Sequence, residues 1–260
     1  MKTVEESIAA AMDVQQNTAI IPFLPYIFQD FWELGTPPEF VIDLIRKHFE
    51  NYKDLHILDL GCGKGAVSVK TAAAFKCHCH GIDAIPEFID TAKKKATEYD
   101  VDKLCRFETG DIRVRIEELD KFDIIILGAT GPIFGDYYTA LTAISKHLTD
   151  KGIVIVEEAY IEDTSTVQHP PYLFRKDLLK QFEQAEMELA DETACDYGEI
   201  ADMNHEMENI SRRCNELKAK YPEISSLFEA YIQNQATEND ALENDLSGST
   251  MVLRKKVLYA

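Results

Sequence analysis

The central part of the chain alternates short apolar runs with segments whose apolar residues recur at helical spacing. The runs are rich in Ile, Leu and Val, as in "LHILDL" (55–60), "FDIIILGAT" (122–130) and "GIVIVEEAY" (152–160). Short continuous apolar runs are typical of strands that are buried on both faces. Two segments that follow such runs, "AVSVKTAAAF" (66–75) and "PEFIDTAKKKATEY" (86–99), have the composition and periodicity of helices. The pattern therefore predicts a parallel sheet covered by helices on both faces.

The same reasoning predicts the remaining elements and divides the chain into three parts. Further strands are expected at 77–83, 105–111, 187–195 and 248–259, and further helices at 136–148 and 175–185. Residues 1–50 form a helical N-terminal segment that is expected on the substrate side. Residues 51–196 and 247–260 form the main domain, and residues 197–246 form an acidic helical insert before the last strand. The insert is expected to be a substrate cap or a dimerisation arm.

The composition and net charge of the chain argue against some classes of binding partner. The 260-residue chain has a formal net charge of −19, which argues against binding a nucleic-acid backbone. It has no apolar run long enough to span a membrane and no signal-peptide pattern, so no membrane contact is expected. The six cysteines are then interpreted as reduced thiols. These features predict a cytoplasmic protein.

A glycine-rich loop, "LDLGCGKGAV" (58–67), joins the first predicted strand to the helix that follows it. Glycines let the backbone turn tightly and approach a ligand closely, and the helix N-terminus presents free N–H groups. Asp83 ends the second strand, where a carboxylate can accept both hydrogen bonds of a ribose diol. These features suit either a nicotinamide dinucleotide or S-adenosylmethionine.

Three further features favour S-adenosylmethionine. Asp59, two residues before the first glycine, suits the ammonium group of a methionine moiety and would repel a pyrophosphate. Asp111 follows the third strand, where it can accept a hydrogen bond from an adenine amino group. The last part of the chain follows a helix, strand, insert, strand pattern with no second catalytic domain.

In this order and spacing, the elements resemble the class I S-adenosylmethionine-dependent methyltransferases. The matching segments are "ILDLGCGKG" (57–65), "GIDAIPEFIDTAKKKA" (81–96), "ETGDI" (108–112), "FDIIILGAT" (122–130) and "LTDKGIVIVEE" (148–158). The resemblance implies an α/β fold, with a Rossmann-like, doubly wound, seven-stranded sheet whose last strand is antiparallel. It also implies S-adenosyl-L-methionine as methyl donor and S-adenosyl-L-homocysteine as product.

The resemblance also implies a set of donor-binding residues. The methionine end would be lined by the three loop glycines and by Gly128, with Asp59 near the ammonium group. Asp83 would bind the ribose hydroxyls and Asp111 the adenine amino group. The full set is Asp59, Gly61, Gly63, Gly65, Asp83, Ala84, Ile85, Asp111, Ile112 and Gly128.

The sequence gives much less information about the methyl acceptor than about the methyl donor. Many members of the family carry a polar or acidic residue near the end of strand four, where this chain has "LGATG" (127–131). No catalytic residue is identified, and the candidates are Glu158, Tyr160 and His169. The candidate acceptor-pocket residues are Tyr26, Trp32 and Thr130. Because strand side chains alternate, only one of Glu157 and Glu158 is expected to face the pocket.

The leading hypothesis for function is methyl transfer to a small-molecule acceptor, an O or N nucleophile, by in-line displacement. The alternatives are a protein or RNA methyltransferase and a non-catalytic S-adenosylmethionine-binding regulatory protein. A homodimer is possible. No metal is expected, because the residues of "CHCH" (77–80) alternate between two faces of a strand and cannot converge on one ion.

Overall fold

Seven strands form one sheet at the centre of the molecule. The computed structural model describes residues 3–12, 17–131, 133–195 and 203–256. The strand order is β3-β2-β1-β4-β5-β7-β6, and β7 runs antiparallel to both of its neighbours. This confirms the predicted fold class. Parts of the predicted first helix, of the insert and of the last strand lie outside the described residues.

The elements have the following bounds. The strands are β1 (His56–Leu60), β2 (His78–Asp83), β3 (Cys105–Thr109), β4 (Phe122–Gly128), β5 (Leu148–Tyr160), β6 (Met187–Cys195) and β7 (Ser247–Lys255). The helices are α1 (Val4–Ala11), α2 (Leu24–Ile27), α3 (Pro38–His48), α4 (Ala66–Phe75), α5 (Pro86–Glu98), α6 (Ile112–Arg115), α7 (Tyr137–Ile144), α8 (Arg175–Gln184), α9 (Met203–Lys220) and α10 (Ser225–Asn244). The described residues include no helix that is long and apolar enough to cross a membrane.

Helices cover the sheet on both faces, as the apolar runs predict. Residues of α3, α4 and α5 pack on one face, and residues of α7 and α8 pack on the other. Along β4, Ile124 and Ile126 belong to the first cluster, whereas Ile125 and Leu127 belong to the second. Strands buried in this way are apolar at most positions, which accounts for the continuous runs in the sequence.

A third apolar cluster joins the N-terminal segment to α9 and α10. Its fully buried members include Ile20, Leu24, Ile27, Cys214 and Phe228. At the edge of this cluster, Arg213 Nε donates a hydrogen bond of 2.7 Å to Asp30 Oδ2. The N-terminal segment and the insert therefore pack against each other, beside the carboxyl ends of the strands.

Candidate functional site

A cavity of about 910 Å³ lies at the carboxyl ends of the parallel strands. Its floor is formed by residues that follow β1, β2, β3 and β4 and by the last residues of β5. Residues of α1, α9 and α10, and of the segment 28–39, form the other walls. Ligands of open parallel sheets bind at this edge, so the cavity is the candidate site.

The glycine loop turns sharply between β1 and α4. Gly61 and Gly65 have φ values of +76° and +75°, in the left-handed region that favours glycine. A Cβ on Gly61 would lie 2.4 Å from Cγ2 of Thr130. The loop is therefore held against the residues after β4, and this contact brings Thr130 to the cavity.

Asp83 supports the loop from the end of β2. Its Oδ2 accepts a hydrogen bond of 2.9 Å from Gly63 N, and its Oδ1 accepts one of 2.8 Å from Ile85 N. Burial raises the pKa of Asp83, while these backbone donors favour the ionised form. Each carboxylate oxygen has a further lone pair, so the side chain can still accept two hydrogen bonds from a diol in the cavity. Ala84 and Ile85 also line the cavity.

Asp59 lies beneath the loop and does not line the cavity. It is almost fully buried, and its Oδ2 accepts a hydrogen bond of 2.6 Å from Ser68 Oγ on α4. Burial raises the pKa of Asp59 to about 6. Its charge can still act on a ligand ammonium group through the loop, because a buried carboxylate is poorly screened by solvent.

We expect Asp59→Asn to stabilise the protein at neutral pH. The folded-state pKa of about 6 exceeds the ordinary value of 3.8, so ionisation of Asp59 costs stability as the pH rises from about 4 to 6. Asparagine lacks this cost, so the variant should gain about 1–3 kcal/mol above pH 6 and nothing at pH 3.5. Urea unfolding of both proteins across this pH range measures the difference. A difference that does not change with pH would contradict the role of ionisation.

Asp111 borders the cavity, but its carboxylate is engaged by Arg113. Arg113 Nε donates to Oδ1 at 2.9 Å and Nη2 donates to Oδ2 at 2.8 Å, and this pairing holds the pKa of Asp111 below its usual range. Arg113 Nη1 also donates to Ser7 Oγ on α1 at 2.9 Å. The ion pair thus attaches α1 over this end of the cavity, which Ile112 also lines.

Gly128 lies at the end of β4, where the N-terminal segment packs closely. A Cβ on Gly128 would lie 2.2 Å from Thr36 Oγ1, and a Cβ on Gly35 would lie 2.4 Å from Ala129 Cβ. Gly128 lines the cavity, and Gly61 and Gly63 do as well. Gly65 lies outside the lining, at the start of α4.

The structure does not bring Tyr26 or Trp32, the two aromatic candidates for the acceptor pocket, to the cavity lining. Trp32 packs on the outer side of the loop, where its Nε1 donates to Lys64 O at 3.0 Å and Lys95 lies over its ring. Tyr26 faces α9, where its hydroxyl donates to Glu216 at 2.6 Å. Phe28 and Phe31 are the aromatic residues of this segment that line the cavity.

Two of the three catalytic candidates also lie outside the cavity lining. Tyr160 is buried, and its hydroxyl is 3.2 Å from Ser249 Oγ on β7. His169 Nε2 is 2.8 Å from Asp245 Oδ2, near the end of α10. These contacts direct both side chains toward the insert and the neighbouring strand. The remaining candidate, Glu158, does line the cavity.

Glu157 and Glu158 both border the cavity, although strand alternation predicts only one. Both residues are paired with β7, and β5 continues beyond its last pair with β4, Gly128 with Glu157. Tyr137, at the start of α7, donates its hydroxyl hydrogen to Glu158 Oε2. Burial raises the pKa of Glu158 to about 7, and the charges of Glu157 and Glu238 act in the same direction.

Lys64 is a structural residue of the site that the sequence analysis missed. It is buried, and its Nζ donates to the carbonyl oxygens of Phe28 and Phe31. Burial lowers the pKa of Lys64 to about 8. The side chain ties the glycine loop to the N-terminal segment. No feature of the sequence indicates this, because the three residues are distant along the chain.

The cavity lining is strongly acidic. No Lys or Arg lines it within the part of the chain that the structure describes. The carboxylates that line it are Glu33, Glu39, Asp83, Asp111, Asp136, Glu157, Glu158, Glu206 and Glu238. Such a lining attracts cations and disfavours anionic ligands.

The chain matches the family model described as "Methyltransferase domain" over residues 51–213, more than half of its length. It is 29% identical to the ubiquinone biosynthesis O-methyltransferase of Rickettsia bellii over 121 residues, which are 45% of this chain and 47% of that protein. It is 27% identical to the malonyl-[acyl-carrier protein] O-methyltransferase of Bacillus cereus over 117 residues, 44% of this chain and 41% of that protein. The chain thus spans about half the length of the curated relatives it matches.

Among solved structures, the fold is similar to that of a SAM-dependent methyltransferase from Geobacter sulfurreducens, crystallised in complex with S-adenosyl-L-homocysteine. The TM-score is 0.75 at 16% identity, over 90% of this chain and 98% of the other. At this identity the likeness concerns the fold. Because the family model matches more than half of the chain, and the last strand along the chain is the antiparallel strand expected of that fold, the chain belongs to the class I S-adenosylmethionine-dependent methyltransferase family.

Proposed function

We propose that the protein transfers a methyl group from S-adenosyl-L-methionine to a small-molecule acceptor. One observation carries the proposal. A single cavity of about 910 Å³ borders both the glycine loop with Asp83 and the end of β5 with Glu158. Its volume lies near the upper end of the range for ligand pockets, about 300–1,000 Å³. There is therefore room for a donor at one end and a small acceptor at the other.

The residues at the β1 and β2 end suit the donor. Asp83 offers free lone pairs to a ribose diol, and the absence of side chains on Gly61 and Gly63 leaves the loop backbone open to a ligand. Ile85 and Ile112 supply apolar surface for an adenine ring. When bound, S-adenosylmethionine supplies a methyl group on a positively charged sulfur, which makes the methyl carbon electrophilic.

The chain's own contribution is to orient the acceptor and to receive a proton. Methyl transfer is an in-line displacement, so holding the nucleophile in line is the main requirement. Glu158, with its pKa raised to about 7, is suited to accept a proton near neutral pH. Tyr137 fixes the orientation of Glu158 through its hydrogen bond.

The walls of the cavity favour a small acceptor over a protein or an RNA. Helices α1, α9 and α10 and the segment 28–39 all contribute residues to the lining. A cavity with walls on these sides admits a small molecule more readily than a macromolecular chain. The lack of Lys and Arg in its described lining further argues against a nucleic acid. The O-methyltransferase relatives, which their names connect with ubiquinone biosynthesis and malonyl-[acyl-carrier protein], support the reaction class and leave the acceptor open.

Isothermal titration calorimetry with two ligands tests the donor assignment. We expect S-adenosyl-L-homocysteine to bind with a dissociation constant in the micromolar range, about −8 kcal/mol, and NAD to show no binding. The expected difference arises because the acidic lining repels the pyrophosphate of NAD. Tighter binding of NAD would refute the proposal.

A further inference from the structure

Three glutamates line the cavity beside β5. Glu157 and Glu158 lie near the end of β5, and Glu238 lies on α10. Strand β5 is three strands away from β2, which carries Asp83, so this end lies about 14 Å from the donor's ribose site at a strand spacing of about 4.8 Å. The ribose of a bound donor therefore lies away from these three acids, while Gly128, assigned to the methionine end, is the register partner of Glu157.

Glu157 is the most informative of the three. Its side chain is only 5% exposed, it lines the cavity, and its Oε2 has no hydrogen-bond partner. Burial raises the pKa of Glu157, and the nearby Thr36 hydroxyl acts in the opposite direction, yet Thr36 Oγ1 does not complete a hydrogen bond either. A buried carboxylate oxygen without a donor costs stability, so this oxygen is suited to a donor that a ligand supplies.

No cation of the described chain neutralises this end of the cavity. Glu39 and Asp111, elsewhere in the lining, form ion pairs with Lys70 and Arg113. Among the described residues, Glu157, Glu158 and Glu238 form no ion pair with a Lys, Arg or His side chain within 4.0 Å. Their mutual repulsion is relieved when a cation binds between them.

We propose that the acceptor is a primary or secondary amine that binds as its ammonium ion, with N–H groups donated to both Glu157 and Glu158. This inference rests on the proposed methyltransferase function and names its acceptor class. An alcohol or phenol has one hydrogen to donate and can serve only one of the two carboxylates. An ammonium ion has at least two and also carries the compensating charge.

The apolar residues of the cavity lining indicate the rest of the acceptor. Ile133, Leu173, Leu178 and Leu242 line the cavity. They offer an apolar surface to the body of a ligand, whereas the glutamates hold its charged end. The acceptor is therefore an amine with an apolar body.

The reaction releases one proton for each methyl group transferred. The ammonium ion first gives a proton to Glu158, which exposes the nitrogen lone pair. The nitrogen then forms a bond to the methyl carbon while the carbon–sulfur bond breaks, and the electron pair of that bond stays on sulfur. The products are a methylated ammonium ion and a neutral thioether, and Glu158 returns its proton to solvent.

Calorimetry on protein saturated with S-adenosyl-L-homocysteine tests the inference. The probes are methylamine, butylamine and 2-phenylethylamine, each compared with the alcohol of the same carbon skeleton. We expect at least one amine to bind with a dissociation constant at least tenfold lower than that of its alcohol. If no amine binds more tightly than its alcohol, the inference is wrong. Failure of S-adenosyl-L-homocysteine itself to bind would instead refute the proposed function.

Single substitutions assign the effect to particular carboxylates. Glu157→Gln should weaken amine binding at least tenfold and change the alcohol affinity by less than about threefold, because it removes charge and keeps shape. Glu188→Gln is the matched control, since Glu188 is exposed on β6, away from the cavity. It should leave both affinities unchanged. If Glu157→Gln binds amines as tightly as the unsubstituted protein does, the proposed recognition is wrong. The affinity of the variant for S-adenosyl-L-homocysteine serves as the control for folding, and it should not change.

The pH dependence of amine binding gives an independent readout. The ionisable groups facing Glu158 are Glu157 on its own strand, Tyr137 on α7 and Glu238 on α10. Because Glu158 ionises near pH 7, amine affinity should rise several-fold between pH 6 and pH 8. Glu158→Gln should remove this rise. A rise of the same size in that variant would exclude Glu158 as the group responsible.

Discussion

Asp83→Ala should lower the affinity for S-adenosyl-L-homocysteine by about two orders of magnitude or more. Two hydrogen bonds between a carboxylate and a ribose diol would be lost, each worth about 1.5–3 kcal/mol. The substitution would also release Gly63 N and Ile85 N, which Asp83 now holds at 2.9 and 2.8 Å. The loop would then lose the conformation that it presents to the donor. Calorimetry measures the affinity, and urea unfolding measures any accompanying loss of stability.

Asp123→Ala separates the effect on the site from a general effect on the fold. Asp123 also holds a backbone donor with its side chain, since its Oδ2 accepts a hydrogen bond of 3.0 Å from His56 N. It lies near the amino end of β4, at the opposite edge of the sheet from the cavity. We expect this variant to lose stability and to keep its donor affinity. Equal losses of affinity in the two variants, or none in Asp83→Ala, would remove Asp83 from the donor site.

Much of the proposed donor end of the site can be predicted from the sequence, because its residues directly follow or end individual strands. The glycine loop directly follows β1, and Asp83 ends β2, so each residue has a position fixed by its own strand. Parallel strands bring their carboxyl ends to one edge, and this rule places the residues together without further information. This rule does not predict where a side chain points. Asp59 lies on β1, as expected, but its carboxylate accepts a hydrogen bond from Ser68 on α4 and does not line the cavity.

The acceptor end could not be predicted in the same way because it depends on packing between distant segments. Tyr137, Glu158 and Glu238 come from α7, β5 and α10, and no short motif relates them. Strand alternation even predicted that only one of the two glutamates near the end of β5 would face the pocket. Similarly, the aromatic character of the N-terminal segment does not distinguish Phe28, which lines the cavity, from Trp32, which packs outside it.

The second large effect is expected from removing the insert. Replacing residues 200–244 with a short Gly-Ser linker should abolish methyl transfer to an amine acceptor and leave donor affinity within a few-fold of its present value. Cys195 and Gly248 are paired in the ladder between β6 and β7, so a short linker can join the two strands. The deletion removes Glu238 and the other cavity residues of α9 and α10, but none of the glycine loop or Asp83.

The expected loss follows from how the insert covers the acceptor end. A closed wall excludes water and holds the acceptor in line, and both effects depend on the helices being present. Phe228 is fully buried against the N-terminal segment, so the deletion also uncovers apolar surface. Asp30→Asn is the milder companion variant, because it breaks the ion pair with Arg213 and keeps every helix.

The two variants distinguish a substrate cap from a dimerisation arm. If the insert is a cap, the deletion should bind S-adenosyl-L-homocysteine, lose transfer from labelled donor and keep its oligomeric state in light scattering. Asp30→Asn should then reduce transfer in part, because the N-terminal segment and α9 close the cavity together. Transfer that survives the deletion would refute the cap. If the protein changes from a dimer to a monomer and transfer persists, the insert is a dimerisation arm. If both variants lose donor binding, the insert supports the donor site itself.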